Sequence, residues 1–340
     1  TSSTGAPLML CKSALDWTPT PGPAFQEFRA KVRRLVSAAP RSEQMAGSFA
    51  VEVLGKRLLS CPVAFADSWH RYKQGMMAGE AAKAEEVRAA EKSLRDEVTD
   101  DREVESRVSH AAATVGAWLK PLADRLTVER EMIDRALAVL HLGHAETPSD
   151  QIGPVKDSRL EALKGWIDIH LRSSGKFRQD ERLIIFTEYK TTLDYLRSRL
   201  RELYPESQPV QVLYGRMEDS EQEVDRDEII AAFNEPTHPV RILVATDVAS
   251  EGLNLQETAR YVLHYDVPWN PARLEQRNGR LDRHGQARDV VFHHFATDDD
   301  ADLSFLAYIV RKVHTNREDL GATRNFGGFL AGEKWNNIFS

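Results

Sequence analysis

Three arginines, Arg277, Arg280 and Arg283, recur at a spacing of three within the run Gln276-Arg277-Asn278-Gly279-Arg280-Leu281-Asp282-Arg283-His284-Gly285-Gln286. On a helix this spacing sets them at neighbouring points of one face. Guanidinium groups so placed repel one another unless an anion meets them. Their forked donors match phosphate oxygens bidentately, which makes phosphate the natural partner. The plainer alternative is a solvated basic face with Glu275 and Asp282 as local counter-charges. A second group of residues lies just after short apolar runs: Thr187-Glu188-Tyr189, Gly215-Arg216, the stretch from Thr246 to Leu255, and Asp266, Pro268, Trp269 and Asn270. Three of these stretches carry glycine or small hydroxyl residues, which let backbone N–H groups approach an anion.

These loops need strands to aim them. Residues 183–186 and 242–245 are short, wholly apolar runs, residues 210–214 alternate, and residues 261–267 and 290–295 read as further strands. Between them lie helical patterns at 158–171, 191–203 and 220–233. Strands alternating with helices predict a parallel sheet with right-handed crossovers, one doubly wound α/β domain over about residues 155–300. In such sheets ligands bind beyond the carboxyl ends of the strands, where the loops above lie.

The chain changes texture near Pro148. Residues 24–38 carry Phe25, Phe28, Val32, Leu35 and Val36 at helical spacing, after a Pro-rich lead-in at 18–23 that reads as rigid and extended. Residues 49–74 form a second helical stretch broken at Cys61-Pro62. Residues 78–97, rich in Ala, Glu, Lys and Arg, predict a long exposed helix with i,i+4 pairs, and 102–140 continues in that style. Residues 141–154 read as a linker. The organisation expected is a helical arm over 1–150, an α/β lobe over 151–317, helical to its end, and a glycine-rich tail over 318–340.

QRNGRLDR resembles the last signature motif of superfamily-two helicases, and the following His284-Gly285-Gln286 resembles the ending usual in the Swi/Snf branch, with His in place of Ile. ATDVASEGLNLQ resembles motif V, DVPWNPARLEQR the Trp-Asn-Pro stretch of Swi/Snf motors, LIIFTEYKTTLDYL motif IV, and LYGRM the motif after it. They stand in the family's order and cover residues 155–317. The arm is similar to that of bacterial Swi/Snf-like proteins of the HepA and DISARM phage-defence types, on KRLLSCPVAFADSW and DWTPTPGPAFQEFRAKV. The resemblance implies a RecA-like parallel sheet flanked by helices and preceded by an all-α arm. It implies that Arg280 and Arg283 are arginine fingers on the γ-phosphate of ATP. Gln276, Glu251, Gly252 and Asn254 would line the nucleotide cleft. Thr187, Gly215, Arg216, Thr246, Trp269 and Asn270 would lie along the DNA backbone, with Trp269 equally readable as a core or interface tryptophan. The implied partners are double-stranded DNA, a first RecA-like lobe holding most of the ATP and Mg2+, and proteins contacted through the arm.

No G-x-x-x-x-G-K-[ST] run occurs in the 340 residues, so the phosphate cradle of such ATPases is missing. In the family that cradle belongs to the first lobe. The expectation is therefore a C-terminal piece of a longer protein, inactive as an ATPase alone. The competing reading is a non-enzymatic docking module for nucleic acid or protein partners. A Rossmann oxidoreductase is disfavoured, because no G-x-G-x-x-G follows any strand. Two distant cysteines, Cys11 and Cys61, suggest buried inert thiols in a reducing compartment and no metal site. His293-His294 reads as one packed and one exposed imidazole, and Asp298 to Asp300 as a polar helix start. No apolar run reaches the roughly 20 residues of a membrane helix, and a cytoplasmic protein is expected. A net charge of −7 argues only mildly against nucleic acid, since local basic surfaces decide such binding.

Overall fold

The structure is a computed structural model that describes residues 9–10, 21–143, 155, 157–205, 208–215, 226–249, 253, 255, 257–270, 272–280 and 290–296. Its first part is helical: α1 (Pro21–Val36), α2 (Arg41–Ser60), α3 (Pro62–Met77), α4 (Ala84–Arg95), α5 (Asp101–Leu119), a 3-10 stretch at Lys120–Leu126 and α6 (Thr127–Val139). The Pro-rich lead-in is not wholly extended. Pro21 to Pro23 form the first turn of α1, where a missing N–H has no partner to lose. The break foreseen at Cys61-Pro62 is real: the Cys61 thiol accepts the Ala64 N–H at 3.3 Å and Pro62 opens α3. The helix foreseen over 78–97 is shorter, because residues 78–83, with Gly79, precede α4. The stretch 102–140 is interrupted by the 3-10 turn at Pro121, since proline breaks the preceding ladder.

α3 and α5 cross closely. A methyl group at Gly75 would lie 1.8 Å from the Ala113 carbonyl oxygen, and one at Gly116 would lie 1.9 Å from that of Tyr72. Two glycines thus let the two backbones touch, which no side chain would allow.

The second part follows with α7 (Ser158–His170), a small hairpin β2–β3 (Arg172–Ser173, Lys176–Phe177), β4 (Leu183–Thr187), α8 (Lys190–Leu203), β5 (Val210–Leu213), α9 (Arg226–Asn234), β6 (Ile242–Thr246), β7 (Tyr261–His264), α10 (Ala272–Asn278) and β8 (Val291–Ala296). Every residue of β4, β6 and β7 is buried, as expected of parallel strands covered on both faces. The sheet order is β1-β8-β7-β4-β6-β5, all pairs parallel, with β1 (Met9–Leu10) at one edge. β1 and the hairpin were not foreseen, being two-residue strands without a period to read. β7 stops at His264, three residues short of the expected strand, where the chain turns into the Asp266 loop. The foreseen helix start at 220–225, the linker residues 144–154, the helix after 298, with Asp298 to Asp300, and the tail lie outside the described residues.

The result is a RecA-like parallel sheet flanked by helices and preceded by a helical region. The two parts share one apolar core: Phe28, Phe49, Phe65 and Trp69 of the helical part belong to the same cluster as Leu183, Leu196, Val244 and Leu263. No helix among the described residues is long and apolar enough to cross a membrane.

Candidate functional site

The chain runs from β4 out to β5, back to β6, and then to β7 on the far side of β4. The sheet therefore switches direction at β4, and a crevice opens beyond its carboxyl end. Three carboxylates stand there, one after each strand: Glu188, Asp247 and Asp266.

Arg277 fills this crevice. It is fully buried on α10. Its Nε and Nη2 donate to the two oxygens of Asp247, the latter at 2.9 Å, and its Nη1 donates to the Asp266 carbonyl at 2.9 Å. Nη2 also lies 3.5 Å from Asp266 Oδ1. Burial works against the guanidinium's charge, but Asp247 and then Asp266 outweigh it and hold its pKa above the usual arginine value. Of the three spaced arginines, the first meets its anion inside the protein. Asp266 is the hub of the crevice. It also accepts the Thr187 hydroxyl (2.5 Å), the Glu188 N–H (2.8 Å) and the Ser60 hydroxyl of α2 (2.8 Å).

This clamp fixes α10 against the loops after β6 and β7. Arg280 then follows one turn on. Its N–H donates to the Arg277 carbonyl (3.1 Å), its own carbonyl accepts the Leu255 N–H (3.4 Å), and it is half-buried. Gln276 is exposed on the same short helix. Arg283, Arg216, Glu251, Gly252 and Asn254 lie outside the described residues.

The residues expected along a DNA backbone are not bare. Thr187 is fully buried with its hydroxyl on Asp266, so it presents no group to solvent. The Gly215 N–H (2.6 Å) and the Thr246 hydroxyl (2.9 Å) both donate to Oδ2 of Asp101, at the first turn of α5. Burial pushes the Asp101 carboxyl up to about 6, against the pull of those two hydrogen bonds. A methyl on Gly215 would meet Val248 at 2.7 Å, so glycine is required for this close approach. Trp269 lies at the seam between the two parts: Lys56 Nζ sits 4.0 Å from its ring centre, Phe49 packs at 5.8 Å, and its backbone N–H donates to Glu188 at 3.1 Å. Lys56 and Glu188 form a buried pair at 3.7 Å. Burial shifts the lysine down and the glutamate up, and each charge resists the other's shift. Asn270 is half-buried, and its carbonyl accepts the Arg273 N–H (3.1 Å) as the chain turns into α10.

Asp101 and Lys56 escaped the sequence reading, and so did the pairing of Asp247 and Asp266, both in the post-strand loops, with Arg277. The acidic residue after each buried strand was a visible signal for the last of these. Asp101 stands more than a hundred residues from its partners in sequence, with nothing local to mark it. The histidine expectation is also corrected: His293 and His294 are both buried, each against an aromatic neighbour. His293 packs edge-on against Trp166, and His294 stacks on His264 at 4.6 Å with burial pushing its pKa down to about 3. Cys61 is a buried thiol pushed up to about 12 by burial, and Cys11 lies outside the described residues. Among the described residues no group of three His, Cys, Asp or Glu could hold a metal ion.

Residues 161–285 match the family model described as the helicase conserved C-terminal domain. An "uncharacterized ATP-dependent helicase YqhH" of Bacillus subtilis (strain 168) is 35% identical over 143 residues, covering 42% of this chain. The match spans 24% of that relative's length. Among solved structures, the C-terminal part of the Fun30 ATPase domain is similar at 16% identity and a TM-score of 0.44, with 87% of each chain covered. The Pyrococcus furiosus Hef helicase domain is similar at 16% identity and a TM-score of 0.42, covering 90% of this chain and 58% of that one.

Proposed function

We propose that this chain is the second lobe, with its helical arm, of an ATP-driven motor of the Swi/Snf type that tracks double-stranded DNA in the cytoplasm. The observation that carries the reading is the Arg277 clamp. By tying α10 to the loops after β6 and β7 it sets Arg280 at the carboxyl edge of the sheet, beside the switch point where α/β sheets receive ligands. The match to the helicase C-terminal domain and the name of the Bacillus subtilis relative support ATP use.

In this reading a first lobe of the same longer protein holds most of the ATP and Mg2+, and this chain supplies positive charge. Arg280 and Arg283 face the γ-phosphate and stabilise the charge that moves onto its oxygens during transfer. Half-buried Arg280 and exposed Gln276 carry N–H groups of the kind that suits phosphate oxygens, while the crevice carboxylates are already engaged, Asp247 and Asp266 by Arg277 and Glu188 by Lys56, so Mg2+ is assigned to the other lobe. Glu251, Gly252 and Asn254 complete the nucleotide cleft. Gly215, Arg216 and Asn270 meet the DNA backbone, which positions the strand without reading its sequence, and Thr246, fully buried with its hydroxyl on Asp101, joins them only where that carboxylate gives way. Without a phosphate cradle of its own the chain hydrolyses no ATP alone.

The test is ATP hydrolysis by the longer protein carrying both lobes, with and without duplex DNA. Duplex should stimulate it, and Arg280→Ala or Arg283→Ala should each lower kcat by about 10^3-fold or more, the usual worth of an arginine finger. Hydrolysis that survives both changes would favour the docking-module reading, in which arm and lobe bind partners without chemistry.

A further inference from the structure

Two carboxylates on the first turns of α5 reach into the lobe. Asp101 accepts a backbone N–H from Gly215 and a hydroxyl from Thr246. Glu105 accepts a backbone N–H and a hydroxyl from Thr191, at the start of α8, both at 2.8 Å. The two acids stand four apart and so share one face of the helix, one turn from each other. Each takes the same pair of donors, an amide and a threonine hydroxyl. Such pairs are what proteins offer to nucleic-acid phosphates when they hold a strand without reading it. The start of α8 adds the partial positive charge of a helix N-terminus.

We infer that the first turns of α5 imitate a nucleic-acid backbone: Asp101 and Glu105 occupy two phosphate seats of the lobe, and a DNA strand must displace them to bind there. The inference rests on the proposed reading of this edge as a backbone-tracking surface, and it adds an autoinhibitory contact built into the arm.

Two further observations support it. Asp101 is an imperfect occupant. It is 1% exposed, yet its Oδ1 has no hydrogen-bond partner. A buried acceptor left unmatched costs free energy that release to water returns. Moreover, the first turns have an apolar cluster of their own, and their ties to the rest of the arm are polar: Glu105 pairs with Arg57 of α2 at 3.3 Å, and Arg107 donates to the Ser93 carbonyl of α4 at 2.6 Å. Val98, Val104 and Val108 form a small cluster with Tyr189, whereas Ala111, Val115 and Leu119, farther along α5, belong to the core shared by both parts. A local opening of residues 98–108 would break the small cluster and the Arg57–Glu105 pair without dismantling the main apolar core.

The experiment measures binding of a short fluorescein-labelled duplex to the chain by anisotropy at low salt. Wild type, Asp101→Asn, Thr246→Val and the double variant are compared, with circular dichroism to establish folding. Asp101→Asn should bind about tenfold tighter, a difference of about 1.4 kcal/mol, and Thr246→Val should cancel the gain. If Thr246→Val weakens binding but Asp101→Asn does not strengthen it, the duplex uses the seat and the mimicry is wrong. If neither change alters binding, the backbone-tracking reading of this edge falls, and the inference with it. Hydrogen exchange on the unmutated chain gives an independent check. Duplex should speed exchange across residues 98–108, and unchanged or slower exchange there at saturating duplex would overturn the inference.

Discussion

Arg277 shows how much one side chain carries in this fold. It is fully enclosed and neutralises Asp247 and Asp266 at once. Removing one member of a buried, hydrogen-bonded charge set leaves the others uncompensated, at a cost of about 3–5 kcal/mol. Arg277→Ala should therefore lower the urea midpoint sharply, and a midpoint equal to wild type would show that the clamp is dispensable. Asp101 gives a signed pH dependence. Its pKa is raised from 3.8 to about 6 on folding, by burial and by the nearby charges of Asp247 and Glu105, against the Gly215 amide and the Thr246 hydroxyl. Between those values the folded state binds more protons than the unfolded chain, so this group's contribution falls as pH rises and is lost above about pH 6. Asp101→Asn does not titrate. Its stability relative to wild type should rise by about 1 kcal/mol between pH 5 and 7, read from urea unfolding at both values. A difference that stays flat would mean that Asp101 does not titrate as its burial requires.

At the scale of elements, the glycines separate two kinds of helix contact. Gly75 and Gly116 sit where α3 and α5 touch, with under 2 Å of room for a methyl group against opposing backbone. Gly165 of α7 is exposed, with nothing within 4 Å. Alanine at Gly75 or Gly116 should cost about 3 kcal/mol, because overpacking outweighs the helix-propensity gain of about 1 kcal/mol. At Gly165 only that gain remains, so Gly165→Ala should raise the melting temperature while the other two lower it. Circular dichroism melts of the three variants decide, and a common direction would show that backbone contact does not set the sign. The element order of the α/β part was legible because each buried strand is a short apolar run and each helix keeps its own period. The 3-10 break at Lys120–Leu126 and the hairpin at 172–177 were not, because a single proline or a two-residue strand leaves no period.

At the scale of the whole molecule, the expected division near Pro148 marks a change of texture, while the apolar core runs across it. Ser60 reaches Asp266, Lys56 pairs with Glu188 and covers Trp269, and the Arg57 guanidinium lies 4.4 Å from the centre of the Tyr189 ring. Shared burial of this kind couples the two parts into one cooperative unit. Tryptophan fluorescence and far-ultraviolet ellipticity should report one coincident thermal transition, and a helical signal that melts apart from the fluorescence would separate them.

The sequence by itself determined the alternation of strands and helices, the loops at the carboxyl edge and the arginine run, because periodicity and residue type are local properties. It could not say which arginine points inward. Nor could it say that an acid at position 101 would sit against Gly215 and Thr246. Those outcomes depend on which buried charges the fold brings within a few ångströms of one another. Low-dielectric burial then forces each charge to find a partner, and only the tertiary structure decides which one.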